Sequence, residues 1–578
     1  MTDAPPATTA VEAPVTGPAP AGASAVAATA STAAPQGLRR WLALAVLLVA
    51  PFMAVFDQFV VNVAIPTMQR ELGASFAEIQ LVIAGYSLAY AVFLITGGRL
   101  GDVAGRKRLY LLGLAGFTLA SALCGLAPTP PLLIGARLLQ GLAAALLGPQ
   151  VLAIIQVTFP PRERSTPLGL YSATIGLASV SGQVFGGLLL RADLFGLGWR
   201  TVFLVNLPIG VVALLAAALL LGESRAPAAP RLDLGGVAIV TAGLVLLLYP
   251  LVAGRDAGWP AWTWACLLAT APLLALFVRF ERWKAARDGS PLIDLDLFRD
   301  RPFVVGLLLV LLFGAANAAF FLVIALYLQL GRGFSALTAG ATFAWAAFGV
   351  FIAAMLSVRL APRLGARLIA FGLVAKALAW LTMLTLVARA GVTLPPAALV
   401  PALFVEGFGA GCTVAPLIGA ILAGTRADHV GAASGVLTTV QQVAGALGVA
   451  LIGIVFFATL AGHARVVGPA LAPDLRRQLA ATGAGPAAVD ATVADFVACV
   501  AERGAARDPA VAPPSCARPT LRPTDPTLTA PVATALAQAN AATYARAFAV
   551  AMGTNAGALA LALLLLRFLP APRSPAHD

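Results

Sequence analysis

Charged residues are scarce in this chain. They make up 11% of its 578 residues, whereas 60% of the residues are hydrophobic. A soluble globular protein carries about 25% charged residues, so the composition excludes an ordinary soluble domain. Most of the molecular surface must instead be solvated by lipid.

Histidine and cysteine are also rare, with three and five copies. All three histidines lie in connections or in the C-terminal tail, and the sequence has no HExxH motif, Walker loop or nucleophile elbow. We therefore expect no enzymatic activity, no metal site and no cofactor. Without a nucleotide-binding loop, any transport by this chain must draw on an ion gradient.

Long apolar runs are what the sequence has in abundance. Runs of about 20 residues, enough to cross a hydrocarbon core of ~30 Å, recur fourteen times and predict helices, because lipid leaves no other partner for backbone polar groups. The predicted spans cover residues 42–65, 79–100, 109–127, 132–158, 168–190, 201–221, 234–253, 262–280, 303–329, 337–358, 367–388, 397–423, 432–460 and 545–569. The fold class is therefore an all-α integral membrane protein.

The net charge of +13 is an orientation signal rather than evidence for nucleic-acid binding. Basic residues cluster in every second short connection, for example in segments 106–108, 279–301 and 359–367. By the positive-inside rule these connections are cytoplasmic. Because fourteen is even, both termini are predicted to be cytoplasmic, and the chain is predicted to be a multi-pass protein of a bacterial inner membrane.

A weak internal repeat divides the chain into two halves. Shifting the sequence by 260 residues brings RLGDVAGRK (99–107) onto RLAPRLGAR (359–367), after the second span of each half. We predict two six-helix bundles with two inserted central helices. The predicted segments are a disordered tail (1–40), a first bundle (41–222), the inserted pair with its cytoplasmic loop (223–301), a second bundle (302–569) and a short tail (570–578).

Within the second bundle, residues 463–544 form a long connection that the alternation places outside the cytoplasm. It contains Cys499 and Cys516, and on the oxidising side of the membrane these two residues form either a disulfide or two free thiols. The connection is also a candidate docking site for a periplasmic adaptor protein.

Asp57 is the leading candidate for proton coupling. The segment FDQFVVNVAIP (56–66) places this carboxylate inside an apolar span, with Asn62 beyond it. An ionised carboxylate at mid-bilayer costs about 2.5–3.5 kcal/mol, so a residue that loads and releases a proton fits this position. The alternative is a carboxylate near the outer end of the span, wetted by a vestibule.

Arg137 and Gln140, in RLLQGLAAA (137–145), are candidates to act with that acid. An arginine stays charged, so Arg137 must face water, a carboxylate or a carbonyl, and its approach to an acid would couple proton release to conformation. The alternative is an interfacial arginine whose side chain extends outward to water.

Glu406, in VEGFGAG (405–411), is a second intramembrane acid. It is either a second protonation site, an anionic contact for cationic substrates, or the partner of Lys376 in a structural ion pair. A central cavity lined by Phe, Leu and Ala with one or two acids would suit lipophilic cations and amphipathic neutral compounds equally.

Two glycine-containing segments are candidates for conformational roles. GRLGDVAGRKR (98–108) is a charged turn between two apolar runs, and SGQVFGG (181–187) offers a small-residue packing face on span 5. The residues singled out in them are Gly98, Asp102, Gly105 and Arg106 in the first, and Gly182, Gln183 and Gly186 in the second.

These motifs together resemble the fourteen-spanner drug:proton antiporter family of the major facilitator superfamily. FDQFVVNVAIP is similar to its span 1 signature, IQLVIAGYSLAY (79–90, with Tyr86) to its span 2, and GRLGDVAGRKR to its gating loop. RLLQGLAAA is similar to its span 4 proton-relay motif, WRTVFLVNLPIG (199–210) to its span 6 entry, and GAASGVLTTVQQVAGALGVA (431–450) to its span 13.

The resemblance implies roles for particular residues. Asp57 and Arg137 would serve proton coupling, and Asp102 with Gly98, Gly105 and Arg106 would latch a cytoplasmic gate. The resemblance transfers no role to Glu406. Independently of it, we expect a further set of residues to line the substrate cavity or to pack its helices: Asn62, Tyr86, Gln140, Gly182, Gln183 and Gly186.

The resemblance also implies multidrug efflux and antibiotic resistance, with a small amphipathic or cationic compound leaving as protons enter. One departure concerns direction, since Gln183 stands where the family's span 5 motif has proline. A proton-linked importer or lipid translocator on the same fold is therefore an alternative. A membrane sensor or scaffold that binds a ligand without moving it is an alternative of another class.

Overall fold

The computed structural model describes residues 37–569 apart from 161–162, 164, 226–232, 290, 391–392, 424–429, 507–511 and 524. Most of the predicted N-terminal tail and the whole C-terminal tail lie outside the described residues. Fourteen helices in the described part are long and apolar enough to cross a membrane. The predictions of an all-α membrane fold and of fourteen spans are therefore confirmed.

The spanning helices follow one another with short connections. They are α1 (Leu38–Leu72), α2 (Phe76–Ala104), α3 (Arg106–Gly125), α4 (Pro130–Thr158), α5 (Ser165–Ala192), α6 (Asn206–Leu220), α7 (Leu234–Ala257), α8 (Ala261–Asp288), α9 (Arg301–Leu326), α10 (Ala336–Leu364), α11 (Ala366–Ala390), α12 (Val400–Ala423) and α13 (Val430–Ala481), and, after a non-spanning helix α14 (Pro486–Ala505), α15 (Pro526–Leu566). A short helical turn, Thr201–Leu204, leads into α6.

Local sequence signals set several of these boundaries. Ser75 and Glu78 form a capping box at the start of α2, which satisfies backbone N–H groups that the first helical turn leaves without partners. Gly105 separates α2 from α3 with φ 111°, and Gly365 separates α10 from α11 with φ 50°. Both angles favour glycine, so each repeat copy has a glycine with positive φ between its two helices.

Helices α1–α6 pack together, as do α9–α13 with α15. The two groups meet along α5 against α10 and α2 against α13, and α7 of the inserted pair lies against both α2 and α13. This arrangement leaves a central space bounded by helices of both groups, which holds the cavity described below.

The described part of the long connection, residues 463–544, is largely helical. Helix α13 has 52 residues, or roughly 78 Å at 1.5 Å per residue, and it extends well beyond the predicted end of its span. It packs with α14 and the first turns of α15 around Phe496 and Val493, and Cys499 and Cys516 are joined by a disulfide. Docking of an adaptor there remains a prediction.

Candidate proton-coupling site and central cavity

A buried ion pair lies inside the first group of helices. Asp57, in the middle of α1, has no exposed side-chain surface, and Arg137, on α4, is 1% exposed. The guanidinium Nη1 of Arg137 donates to Oδ2 of Asp57. Because an isolated buried charge costs several kcal/mol, each residue accounts for the presence of the other in this apolar interior.

Further donors complete the shell around the carboxylate. Gln140 accepts a hydrogen bond from Arg137 at 2.7 Å and donates to Oδ1 of Asp57 at 2.9 Å. Arg137 also donates through Nε to the carbonyl of Val82 at 3.1 Å. Its guanidinium carbon lies 4.4 Å from the centroid of the Tyr86 ring, within the range of a cation–π contact.

Asn206, the first residue of α6, is a member of this network that sequence reasoning left without a role. It donates to Oδ1 of Asp57 at 3.2 Å and to Ser121 at 3.1 Å, and it is fully buried. Its signal in the sequence is the single polar residue of the stretch VFLVNLPIG (202–210). Polar residues are common at the start of a helix, because the first N–H groups there lack backbone partners. Asn206 therefore did not stand out in the sequence.

The network gives the carboxylate two distinct sides. Oδ2 faces the charged donor, whereas Oδ1 faces two neutral amides. A proton added to Asp57 would remove the charge that holds Arg137, while Gln140 and the Val82 carbonyl would still satisfy the guanidinium. The arrangement is thus chemically able to exist with the acid charged or neutral.

A cavity of about 260 Å³ lies between the two groups of helices. Gln58 and Asn62 of α1 line it, as do side chains of α2, α9, α12 and α13. Asp57, Arg137 and Gln140 do not line it, and neither does Tyr86, whose hydroxyl donates to the carbonyl of Ala54 at 3.3 Å. Of the residues predicted for cavity or packing, Asn62 thus faces the cavity, and Gln140 and Tyr86 belong to the carboxylate network.

The span 5 glycines bring α5 close to α1. A Cβ atom on Gly182 would lie 2.8 Å from the carbonyl oxygen of Phe56, and one on Gly186 would lie 3.1 Å from Val60. Any larger side chain at Gly182 would therefore push the helices apart. The side chain of Gln183 lies outside the described part of the structure.

A second buried ion pair joins α11 to α12. The Lys376 ammonium donates to Glu406, and both side chains are at most 1% exposed. Lys376 also donates to Oδ1 of Asn317 at 2.8 Å, and Asn317, on α9, lines the cavity. The structure thus brings Glu406 to the partner that the ion-pair interpretation named, and connects that pair to the cavity wall through one amide.

The charged turn between α2 and α3 contains an i,i+4 ion pair. Arg106 donates to Asp102 at 2.8 Å, and the backbone N–H of Lys107 donates to Glu223 at 3.1 Å. A Cβ atom on Gly105 would lie 2.7 Å from the same Glu223 carboxylate. Gly105 therefore allows this carboxylate to approach the start of α3.

Of the glycines near this turn, Gly98 is not the most constrained. A Cβ atom on Gly98 would be in ordinary contact with Pro149 at 3.4 Å, whereas one on Gly97 or Gly101 would collide with Ala145 or Gln150 of α4. The close packing of α2 on α4 thus depends on Gly97 and Gly101.

Over the residues described, no group of three or more His, Cys, Asp or Glu side chains could hold a metal ion.

Comparison with known proteins agrees with this architecture. The sequence profile described as Major Facilitator Superfamily matches residues 47–449. A probable actinorhodin transporter of Streptomyces coelicolor is 42% identical over 504 residues, covering 87% of this chain and 86% of that protein. A tetracenomycin C resistance and export protein of Streptomyces glaucescens is 31% identical, covering 72% and 76%.

Solved structures match at the level of the fold. A bacterial homolog to the human lysosomal transporter Spinster, in an inward-facing and occupied conformation, superposes with a TM-score of 0.57 over 93% of this chain and 100% of that chain. Its sequence identity is 19%, so this likeness bears on the fold alone.

Proposed function

The chain belongs to the Major Facilitator Superfamily, and from that premise we propose that it exports amphipathic small molecules in exchange for protons. The observation that carries the proposal is the buried Asp57–Arg137 pair beside the central cavity. Relatives named as antibiotic transport and export proteins support the outward direction. The proposal includes cytoplasmic termini, as the basic connections indicate.

The proposed cycle uses protonation of Asp57 as the switch. A proton that arrives from outside neutralises Asp57 and releases Arg137, which changes the relative stability of the outward-open and inward-open states. Loss of the proton to the cytoplasm restores the pair. Each ligand drives the cycle only to the extent that it binds one state better than the other.

Asp57 and Gln58 are adjacent in sequence, but Gln58 faces the cavity and Asp57 faces Arg137. A movement of α1 therefore acts on both sites together. This gives proton binding and substrate binding a shared mechanical element without requiring the substrate to touch the acid.

The test is Asp57→Asn in proteoliposomes with an imposed pH gradient. Asparagine keeps the size of the side chain and can still accept a hydrogen bond from Arg137, but it cannot take up a proton. We expect substrate-dependent proton flux to fall to the level of empty liposomes, with 10-methylacridone as the fluorescent probe. Binding of the probe should persist, because neither carboxylate oxygen lines the cavity.

The matched control is Asp525→Asn, at an exposed helix cap in the outer segment, which should transport like the unmodified chain. Full proton flux in Asp57→Asn would contradict the assignment. In everted vesicles, an exporter accumulates the probe in the vesicle interior. Depletion of the probe from the interior would instead favour an importer. Binding without proton flux in the unmodified chain would favour a sensor.

A further inference from the structure

The polar groups that line the central cavity, among the described residues, are uncharged. They are Gln58, Asn62, Ser87, Asn317, Gln441 and Gln442. Among the described residues of the lining there is no aspartate, glutamate, lysine or arginine. The cavity therefore differs from the acid-containing one that the sequence led us to expect.

The two intramembrane acids lie behind the wall, and each is already neutralised. Asp57 has no exposed surface and is paired with Arg137. Glu406 is 1% exposed and is paired with Lys376. A cationic substrate in the cavity would find neither carboxylate at its surface.

The cost of desolvating a permanent cation exceeds what this cavity returns to it. Moving an ion out of water costs several kcal/mol even after the protein relaxes. Phe59, Phe313 and Phe321 line the cavity, but a cation–π contact returns only about 0.5–2 kcal/mol. Neutral compounds avoid the desolvation cost and still gain from burial of apolar surface.

The same walls suit a flat molecule with polar edges. The rings of Phe59, from α1, and Phe321, from α9, meet edge-to-face with centroids 5.7 Å apart, so aromatic surface is contributed from both groups of helices. The five carboxamides supply donors and acceptors around it. Aromatic faces with amide edges favour ligands of mixed apolar and hydrogen-bonding character.

Asn317 adds a preference for hydrogen-bond acceptors on the ligand. Its Oδ1 already accepts a hydrogen bond from Lys376 at 2.8 Å, which occupies one of the two lone pairs of that oxygen, whereas the amide nitrogen has two N–H donors for a ligand. The lysine behind it polarises this amide, which strengthens a hydrogen bond to a carbonyl oxygen.

From this lining we infer that the cavity takes uncharged, flat aromatic compounds that carry carbonyl and hydroxyl groups, and that it discriminates against permanent cations. The inference rests on the proposed function, since it treats the cavity as the transport site. It narrows the amphipathic or cationic compounds expected from the sequence to the neutral class.

The test compares ligands that share one tricyclic shape. Binding of 10-methylacridone and 2-hydroxy-10-methylacridone, both neutral carbonyl compounds, is measured against that of the 10-methylacridinium cation, with the full chain in nanodiscs. We expect the neutral compounds to bind at least about tenfold more tightly, a difference of 1.4 kcal/mol, and the hydroxyl compound to bind the tightest.

Two variants test whether the cavity is responsible. Asn317→Leu removes the amide donor and should weaken binding of the acridones about 3- to 10-fold, as expected for one hydrogen bond. Gln441→Glu places a carboxylate in the wall and should raise affinity for the acridinium above that for the acridones. The control Gln478→Glu, at an exposed position of the outer segment, should change neither.

The outcomes separate this inference from the proposed function. Preferred binding of the acridinium by the unmodified chain, or no binding of either acridone, would overturn the inference. Proton flux driven by the acridinium would overturn it as well, yet leave proton-linked export standing. Preferred binding of acridones without proton flux would support the substrate class and count against export.

Discussion

Asp233 and Glu281 place two buried carboxylates beside Gly236, where the inserted helices α7 and α8 come together. The backbone N–H of Leu292 donates to Asp233 at 3.2 Å, and that of Ile293 donates to Glu281 at 3.0 Å. A Cβ atom on Gly236 would collide with Glu281 and lie 2.6 Å from Asp233. The two acids thus fix the segment that follows α8.

That segment also contacts the end of α2 near the charged turn. Arg99 donates to the carbonyls of Pro291 and Leu292. The inserted pair and the turn between α2 and α3 are therefore connected through only a few residues. Helix α7 also packs against α13, so this connection spans both helical groups.

We expect Glu281→Ala to destabilise the protein, because it leaves the N–H of Ile293 without an acceptor, at a cost of about 1–3 kcal/mol. Glu281→Gln keeps an acceptor and removes the repulsion of like charges, so its thermal midpoint should equal or exceed that of the unmodified chain. Fluorescence-monitored unfolding in detergent measures both. Equal midpoints for the two variants would show that the acceptor has no structural importance.

The ion pair of Asp102 and Arg106 predicts a kinetic phenotype. Both side chains are partly exposed, and such pairs contribute at most about 1 kcal/mol, so Asp102→Asn should fold normally. If the pair stabilises one end state of the cycle, the rate of substrate-dependent proton flux should fall about two- to fivefold. Binding of 10-methylacridone should stay unchanged.

The matched control is a second ion pair on the same predicted cytoplasmic face. Asp296 pairs with Arg299 but is 69% exposed, and Asp296→Asn should have no effect on flux. Unchanged proton flux in Asp102→Asn, or loss of 10-methylacridone binding, would contradict the assignment of this residue to the gate.

The sequence was sufficient for the fold because hydrophobic run length is a direct consequence of bilayer thickness. It was insufficient for α13, whose predicted span ends at residue 460 although the helix continues to Ala481. Hydropathy reports where lipid ends. Alanine-rich segments remain good helix formers beyond that point.

The candidate site could likewise be predicted only in part from the sequence. Asp57 and Arg137 stand out because charge inside an apolar run is expensive. Asn206 and Asn317 do not, since neutral amides are cheap enough to occur in any span. The absence of charge from the described cavity lining depends on which face of each helix turns inward, and tertiary packing determines that.

The glycines of α12 predict a difference in stability within one helix. A Cβ atom on Gly407 would collide with the backbone carbonyl of Ala346 on α10, whereas one on Gly419 would meet nothing within 4 Å. Gly407→Ala should therefore separate α12 from α10 and lower the thermal midpoint, since overpacking costs about 1–3 kcal/mol.

Gly419→Ala makes the same chemical change on the same helix and should be neutral or slightly stabilising, because alanine has the higher helix propensity. Midpoints of the two purified variants, measured in one detergent, provide the comparison. A lower midpoint for the Gly419 variant than for the Gly407 variant would contradict the packing described for α10 and α12.

An ion pair in the connection 463–544 predicts a dependence of stability on pH. Asp495 accepts hydrogen bonds from Thr520 and Arg518, and these lower the pKa of its carboxyl below the usual 3.8. A lowered pKa in the folded state stabilises the fold fully above pH 3.8, and this stabilisation is lost as the pH falls through the lowered value.

We therefore expect the connection between α14 and α15 to become more susceptible to pepsin, which is active in acid, as the pH falls below about 4. Asp495→Asn, whose amide carries no charge at any pH, should be cleaved faster than the unmodified chain at the upper end of the tested pH range. Its rate of cleavage should also change less with pH. The disulfide between Cys499 and Cys516 spans the same region, so each variant is compared with it intact. Identical pH profiles for both chains would mean that Asp495 does not hold the segment, and that the disulfide and the apolar contacts around Phe496 suffice.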